Sequence, residues 1–132
     1  MMIHTRIVTP EGTYKEFDSS ILNIQTEDGD QGILPNHMPL VTMLKIGLLE
    51  TEENGKRMHY AIAGGLFYFR DNSAEILTSA IESSDEIDTE RAEHSKERAE
   101  KRLDSKDPNI DFKRAGISLA RAINRLKAAT YK

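Results

Sequence analysis

Up to residue 84 the apolar residues come in short runs, each closed by a turn signal; beyond it they recur at helical spacing. Ile3 to Thr9 is a strand candidate that stops at Pro10-Glu11-Gly12, Tyr14 to Asp18 is a second, and Ile21 to Thr26 is a third. Glu27-Asp28-Gly29-Asp30 reads as a polar turn into a stretch where Gly29, Gly32, Pro35, Asn36 and Pro39 alternate with apolar residues. Glycine permits positive φ and proline fixes φ without an N–H, so sharp turns tied to a core are expected there. Leu40 to Leu44 and Ile46 to Thr51 follow as strands, then a hairpin loop at Glu52-Glu53-Asn54-Gly55 whose Asn-Gly pair suits positive φ. Lys56 to Ala63 pairs back across it. Gly64-Gly65 interrupts, Leu66 to Arg70 is a further strand, and Glu75 to Ala80 is the last. Many short strands with no helix between them predict an antiparallel sandwich or barrel.

After residue 84 the period changes. Asp88 is an N-cap candidate for a helix running to about Leu103, and Asp104 to Asn109, with Pro108, breaks it. A second helix starts near Asp111 and lasts almost to Lys132. On it Phe112, Ala115, Leu119, Ala122, Leu126 and Ala129 follow at spacings of three and four, a seam for a partner helix. Ala92, Ser95, Ala99 and Leu103 form the matching stripe on the first helix, so an antiparallel αα-hairpin is expected. Alanines bury little area. At roughly 25 cal/mol per Å2 such a seam is marginal without a further partner.

Composition narrows the classes. The 132 residues are 30% charged and 38% apolar, which is globular, and hold no Cys, which removes disulfides and thiolate chemistry. No apolar run reaches the ~20 residues that span a bilayer, and the first residues lack the apolar region of a signal peptide, so a cytosolic chain is expected. The net charge of −4 hides an asymmetry: residues 1–86 hold 6 Lys and Arg against 14 Asp and Glu, and the remainder holds 12 against 8. The division of an acidic body at residues 1–84 from a basic tail at 85–132 marks two domains. A charge of only +4 over residues 87–132, without interleaved aromatics and on an acidic body, argues against nucleic acid.

The helical tail carries the one arrangement that invites chemistry. Asp88, Arg91, Ser95, Arg98 and Arg102 share a face of the first helix, and Arg114, Arg121 and Arg125 share a face of the second. Guanidinium forks match phosphate oxygens, although interleaved glutamates also fit two solvated faces. The scattered histidines lack ligand spacing. A small β-barrel metalloenzyme or isomerase using His37 and His59 is the alternative from the enzyme class.

Four stretches together resemble the epsilon subunit of bacterial F-type ATP synthases. Gly29-Asp30-Gln31-Gly32-Ile33-Leu34-Pro35-Asn36-His37-Met38-Pro39-Leu40-Val41 is similar to that family's GxxGILPxHxPLV signature, with Asn36 where a Gly is usual. Ala61-Ile62-Ala63-Gly64-Gly65 resembles its A-x-x-G-G strand end. Ile87-Asp88-Thr89-Glu90-Arg91-Ala92 resembles its I/L-D-x-x-R-A nucleotide motif, and Arg121-Ala122-Ile123-Asn124-Arg125-Leu126 its second helix. The resemblance implies a ten-stranded antiparallel β-sandwich followed by a two-helix hairpin, in a non-catalytic rotor subunit peripheral to the cytoplasmic face of the cell membrane. It implies ATP as a regulatory ligand on Glu82, Asp88, Arg91, Arg98, Arg121 and Arg125, with magnesium left open. No Gly-rich phosphate loop accompanies these residues, so hydrolysis is not implied. It further implies contact with the c-ring through Asp30, Gly32, His37, Met38 and Pro39, binding to the gamma subunit, and contact of the extended helices with the catalytic alpha and beta subunits.

Overall fold

The strands follow from where side chains alternate between core and solvent. In a computed structural model that describes all 132 residues, β1 (Ile3–Thr9) buries Ile3, Thr5 and Ile7 and exposes His4 and Arg6. β2 (Gly12–Ser19), β3 (Leu22–Thr26), β4 (Gly29–Ile33), β5 (Leu40–Glu53), β6 (Lys56–Arg70), β7 (Ser73–Leu77) and β8 (Ile81–Ser83) complete the sheet. Its order is β2-β1-β7-β6-β5-β3-β4, with β8 paired to the first half of β6. One core cluster draws on β1, β3, β4, β5, β6, β7 and β8, from Ile3 and Ile7 through Leu22, Ile24 and Ile33 to Phe67 and Ile76. The sheet therefore folds over onto itself as a β-sandwich.

The expected ten antiparallel strands are corrected to eight in a mixed sheet. β1 runs parallel to β7, His4 beside Ser73 and Val8 beside Leu77; every other pairing is antiparallel. Leu40–Leu44 and Ile46–Thr51 are one strand, because the register carries unchanged across Lys45: Leu44 pairs with Gly65 and Ile46 with Ala63. Lys56–Ala63 and Leu66–Arg70 join in the same way across Gly64 (φ 80°) and Gly65 (φ 130°), conformations that glycine adopts without a Cβ penalty. Two long strands with a shared bend thus replace four short ones. Gly29-Asp30, expected in a turn, opens β4, since Gly29 and Asp30 pair with Thr26 and Gln25. β8 was too short to read as a strand; it exists because Ile81 caps the core.

A polar knot closes one edge. Glu53 is buried, yet Lys15 Nζ lies 2.7 Å from its Oε1, and the hydroxyls of Tyr60 and Thr51 donate to its Oε2. Burial opposes the carboxylate charge, but the Lys15 pair and the two hydroxyl donors outweigh it and hold Glu53 below the usual range. Burial, with the adjacent Glu53 charge, pushes the Tyr60 phenol up beyond the ordinary tyrosine range. Glu50 and Glu86 are lowered too, against burial, by donors from Asn23 and His59 and from Tyr14 respectively. A depressed folded-state value means stability that is complete above the unfolded-state value, ordinarily 4.5, and lost as pH falls through the lower folded one. Thermal melts are expected to hold their midpoint from neutrality down to about pH 5 and to fall below it. In Glu53→Gln that acid-side fall should be shallower.

Behind β8 a 3-10 turn at Ser84–Glu86 leads into α1 (Thr89–Asp104) and α2 (Phe112–Ala129), which pack antiparallel. Asp88 and Asp111 cap them, each carboxylate accepting from the backbone N–H three residues on, at 3.0 Å. The alanine seam forms as its spacing predicts: Ala92, Ala99, Ala115 and Ala122 are buried, and Ser95, Leu103, Leu119 and Leu126 are half-buried. Phe112, expected in the seam, is 46% exposed because it opens α2 beside the interhelical loop, where no residue covers it.

Candidate functional site at the helix–sheet junction

The helix–sheet junction is polar. α2 lies against β5 and β6, but the apolar cluster there is only Ala61, Ile87 and Ala128, flanked by Leu48 and Ala129. Asn124 is buried at its centre, donating from Nδ2 to the carbonyls of Gly47 at 2.8 Å and Ile62 at 3.3 Å. At the next residue of the helix, Arg125 meets Glu82: Nε stands 2.7 Å from Oε1 and Nη2 donates to Oε2 at 3.4 Å. The Nε contact is an ion pair without hydrogen-bond direction, so a buried N–H of Arg125 has no aligned acceptor. Such a group costs free energy until an acceptor arrives.

These residues line a small cleft of about 60 Å3, together with Ile46, Ala61 to Ala63, Ala80, Ile81 and Arg121. Arg125 and Glu82 balance each other, and Arg121 stands exposed beside them, so the junction carries a positive excess at a half-shielded site. That combination accepts an anion.

Of the six candidate nucleotide residues, the structure brings Glu82, Arg121 and Arg125 into the cleft and leaves three outside its lining. Asp88 is occupied as the N-cap of α1, Arg91 is exposed, and Arg98 donates only to Ser95 Oγ at 3.1 Å on its own helix. Asn124 was missed in the sequence. Helical spacing gives it no role within Arg121-Ala122-Ile123-Asn124-Arg125, and only the sheet carbonyls explain it. Asp88→Ala removes a cap and should cost the hairpin about 1 kcal/mol, read as an earlier loss of helical signal on heating.

The turn-rich stretch is a built loop. Asn36 takes φ 69°, the left-handed geometry expected where a Gly is usual, and pairs with Asn72, itself at φ 59°. Asn36 N donates to Asn72 Oδ1 at 2.6 Å, and Asn72 Nδ2 returns a bond to Asn36 Oδ1 at 3.0 Å. His37 donates from Nδ1 to the Met38 carbonyl and sets its ring edge-on to Phe69. Met38 is 73% exposed, Pro39 is exposed, and Asp30 and Gly32 face solvent on the edge strand β4. An exposed apolar row continues from the loop: Val41 and Met43 on β5, Tyr68 opposite Val41 on β6, and Leu77 on β7. Such a row marks a protein contact more readily than a catalytic surface.

The histidines proposed for an enzyme are otherwise engaged. His37 serves the loop, and His59 pairs with Glu50 at 2.8 Å. His4 lies between Glu16 and Asp18, whose hydrogen bonds raise its pKa, and is exposed. No group of three or more His, Asp and Glu side chains is gathered as a metal site requires.

Comparison with known proteins supplies the family. Residues 2–84 match the model of the ATP synthase delta/epsilon chain β-sandwich domain, and residues 85–130 the model of its long α-helix domain. An ATP synthase epsilon chain of Halalkalibacterium halodurans is 44% identical over 128 residues, covering 96% of each chain. One of Desulforamulus reducens is 44% identical over 93% of each. Among solved structures, a chain of the Euglena gracilis mitochondrial ATP synthase aligns with a TM-score of 0.84 at 27% identity, covering 98% of this chain and 81% of that one. A chain from the central stalk and c-ring of the Tetrahymena thermophila enzyme, at 18% identity and a TM-score of 0.59, shares the fold. The chain belongs to the delta/epsilon chain family of the ATP synthases, as an epsilon chain, a subunit with no catalytic site of its own.

Proposed function

We propose that the chain is a regulated central-stalk subunit of an F-type ATP synthase, in which the sandwich joins the rotor and the helical hairpin senses ATP. The observation that carries the regulatory half is the Arg125–Glu82 junction, with an unaligned guanidinium N–H and a second arginine, Arg121, at its mouth. The cleft is small enough to take a phosphate-sized group alone, so Asp88, Arg91 and Arg98, outside its lining, are assigned to the remainder of the nucleotide. Arginines on both helices and a carboxylate on the sandwich would then be bridged by one ligand. ATP binding would stabilise the docked hairpin, because a ligand shifts an equilibrium only toward the state it binds better.

Without ATP, the thin alanine seam and polar junction favour release, and the extended helices carry their basic faces to acidic surfaces of the alpha and beta subunits, inhibiting ATP hydrolysis. The loop at His37 to Pro39, with Asp30 and Gly32 on β4, is assigned to the c-ring, and the apolar row of Val41, Met43 and Tyr68 to the gamma subunit. No helix is long and apolar enough to cross a membrane. Attachment is assigned to the rotor contacts of the complex, at the cytoplasmic face of the cell membrane.

Met38→Asp, which puts a charge on the most exposed apolar side chain of the loop, tests the rotor assignment. Co-sedimentation with a reconstituted gamma and c-ring assembly should fall at least about tenfold, as for a contact at the centre of an interface. Undiminished retention would remove this loop from the interface. Isothermal titration of ATP into the isolated protein, with and without magnesium, tests the regulatory half; no heat at millimolar ATP would end it.

A further inference from the structure

α2 ends at Ala129, yet the chain goes on to make the most regular side-chain contact between the tail and the sandwich. The Tyr131 ring lies flat on the His59 ring, centroids 3.8 Å apart and planes within 8°. Its position is set by the backbone, where Tyr131 N–H donates to the Ala128 carbonyl at 3.0 Å. The platform beneath it is braced: His59 Nε2 sits 2.8 Å from Glu50 Oε2, and Glu50 Oε1 receives Asn23 Nδ2 and Arg57 Nη1, both at 2.8 Å. The final residue ties the same end to the hinge before α1, with Lys132 Nζ donating to the Ile87 carbonyl at 2.7 Å.

We propose that Tyr131 and His59 form a releasable latch that sets how far the helical hairpin stays docked on the sandwich; this deepens the regulatory reading above and names a contact apart from the nucleotide cleft. Neither Tyr131 nor His59 lines that cleft. Elsewhere the docked face offers a minor apolar cluster of Ala61, Ile87 and Ala128, flanked by Leu48 and Ala129, and the bonds of Asn124 and Arg125, so an aromatic stack is a large share of what holds it. Tyr131 remains 51% exposed, so its ring can leave the platform without unpacking a core. His59 and its carboxylate stay with the sheet in either state.

The chain holds no Cys, so spin labels on cysteines introduced at the exposed Lys56 and Glu97 report the sandwich-to-hairpin distance without background. In nucleotide-free full-length protein, Tyr131→Ala and His59→Ala should each raise the open fraction roughly 3- to 10-fold. The double variant should open no further than either single one, and Tyr131→Phe, which keeps the ring, should match the unaltered chain. Unchanged distances in Tyr131→Ala, additive effects in the double variant, or an open Tyr131→Phe would each overturn the latch. Adding ATP to the same labelled proteins separates the two claims. Variants that open without nucleotide, in a protein whose distances ATP never changes, leave the latch standing and remove the nucleotide switch. Closure by ATP with Tyr131→Ala as closed as the unaltered chain does the reverse.

Discussion

ATP binding should vanish when Arg121 and Arg125 are both replaced by alanine, with the sandwich still folded. The two side chains supply the positive excess of the junction, and no other cationic side chain lines the cleft. Bonds to charged groups contribute about 1.5–3 kcal/mol each, so losing two guanidiniums weakens affinity by on the order of a thousandfold. Removing Arg125 alone has a second effect, because Glu82 is left half-buried without its partner. Arg125→Ala should therefore loosen α2 even without ATP, whereas Arg121→Ala, whose side chain is exposed, should lose affinity alone. Equilibrium dialysis with labelled ATP gives the affinity, and hydrogen exchange of sandwich amides gives the fold. Undiminished affinity in the double variant would place the phosphates elsewhere.

Gly65→Ala should cost the sandwich about 3 kcal/mol or more, the largest loss expected from adding one carbon atom. A Cβ at this position would stand 1.9 Å from the Leu77 carbonyl oxygen, a backbone atom that cannot swing aside. The residue also sits at φ 130°, which side-chain-bearing residues rarely adopt. Relief requires β7 to part from β6 where Leu66 pairs with Leu77. Gly116→Ala is the control. No heavy atom lies within 4 Å of the added carbon, and alanine favours the helix by roughly 1 kcal/mol, so the hairpin should gain slightly. Urea midpoints of the two variants should move in opposite directions. A Gly65→Ala protein as stable as the unaltered chain would mean the bend between β5 and β6 is adjustable.

The parts of this molecule legible in its sequence are those governed by nearest neighbours. Asp88 reads as a cap, and Asp111 as a helix start, because a carboxylate before a periodic run has one favourable partner, and each takes it. Asn36 read as a left-handed turn for a similarly local reason. Strand count was not local. Whether Lys45 or Gly64-Gly65 ends a strand depends on the strand beside it, which holds the pairing on either side of the bend. The same applies to the parallel pairing of β1 with β7, whose residues lie almost seventy positions apart.

In the candidate site, helical spacing separated the arginines into two stripes but could not say which of them the sandwich would approach. Arg125 and Arg121 are drawn to the junction because α2, not α1, packs on β5 and β6. The Asn124 bonds to Gly47 and Ile62, and the Tyr131 ring on His59, come from the same docking. Neither follows from periodicity. Both are side chains that would otherwise be assigned to solvent.

Hydrogen exchange along α2, with and without ATP, tests most directly whether the docked hairpin is the nucleotide-stabilised state. Amides of α2 from Ala122 to Ala128 should gain protection on adding ATP, while amides of β1 and β7 should be unchanged. Equal exchange of α2 with and without saturating ATP would contradict it, and the helical tail would then act through its partners alone.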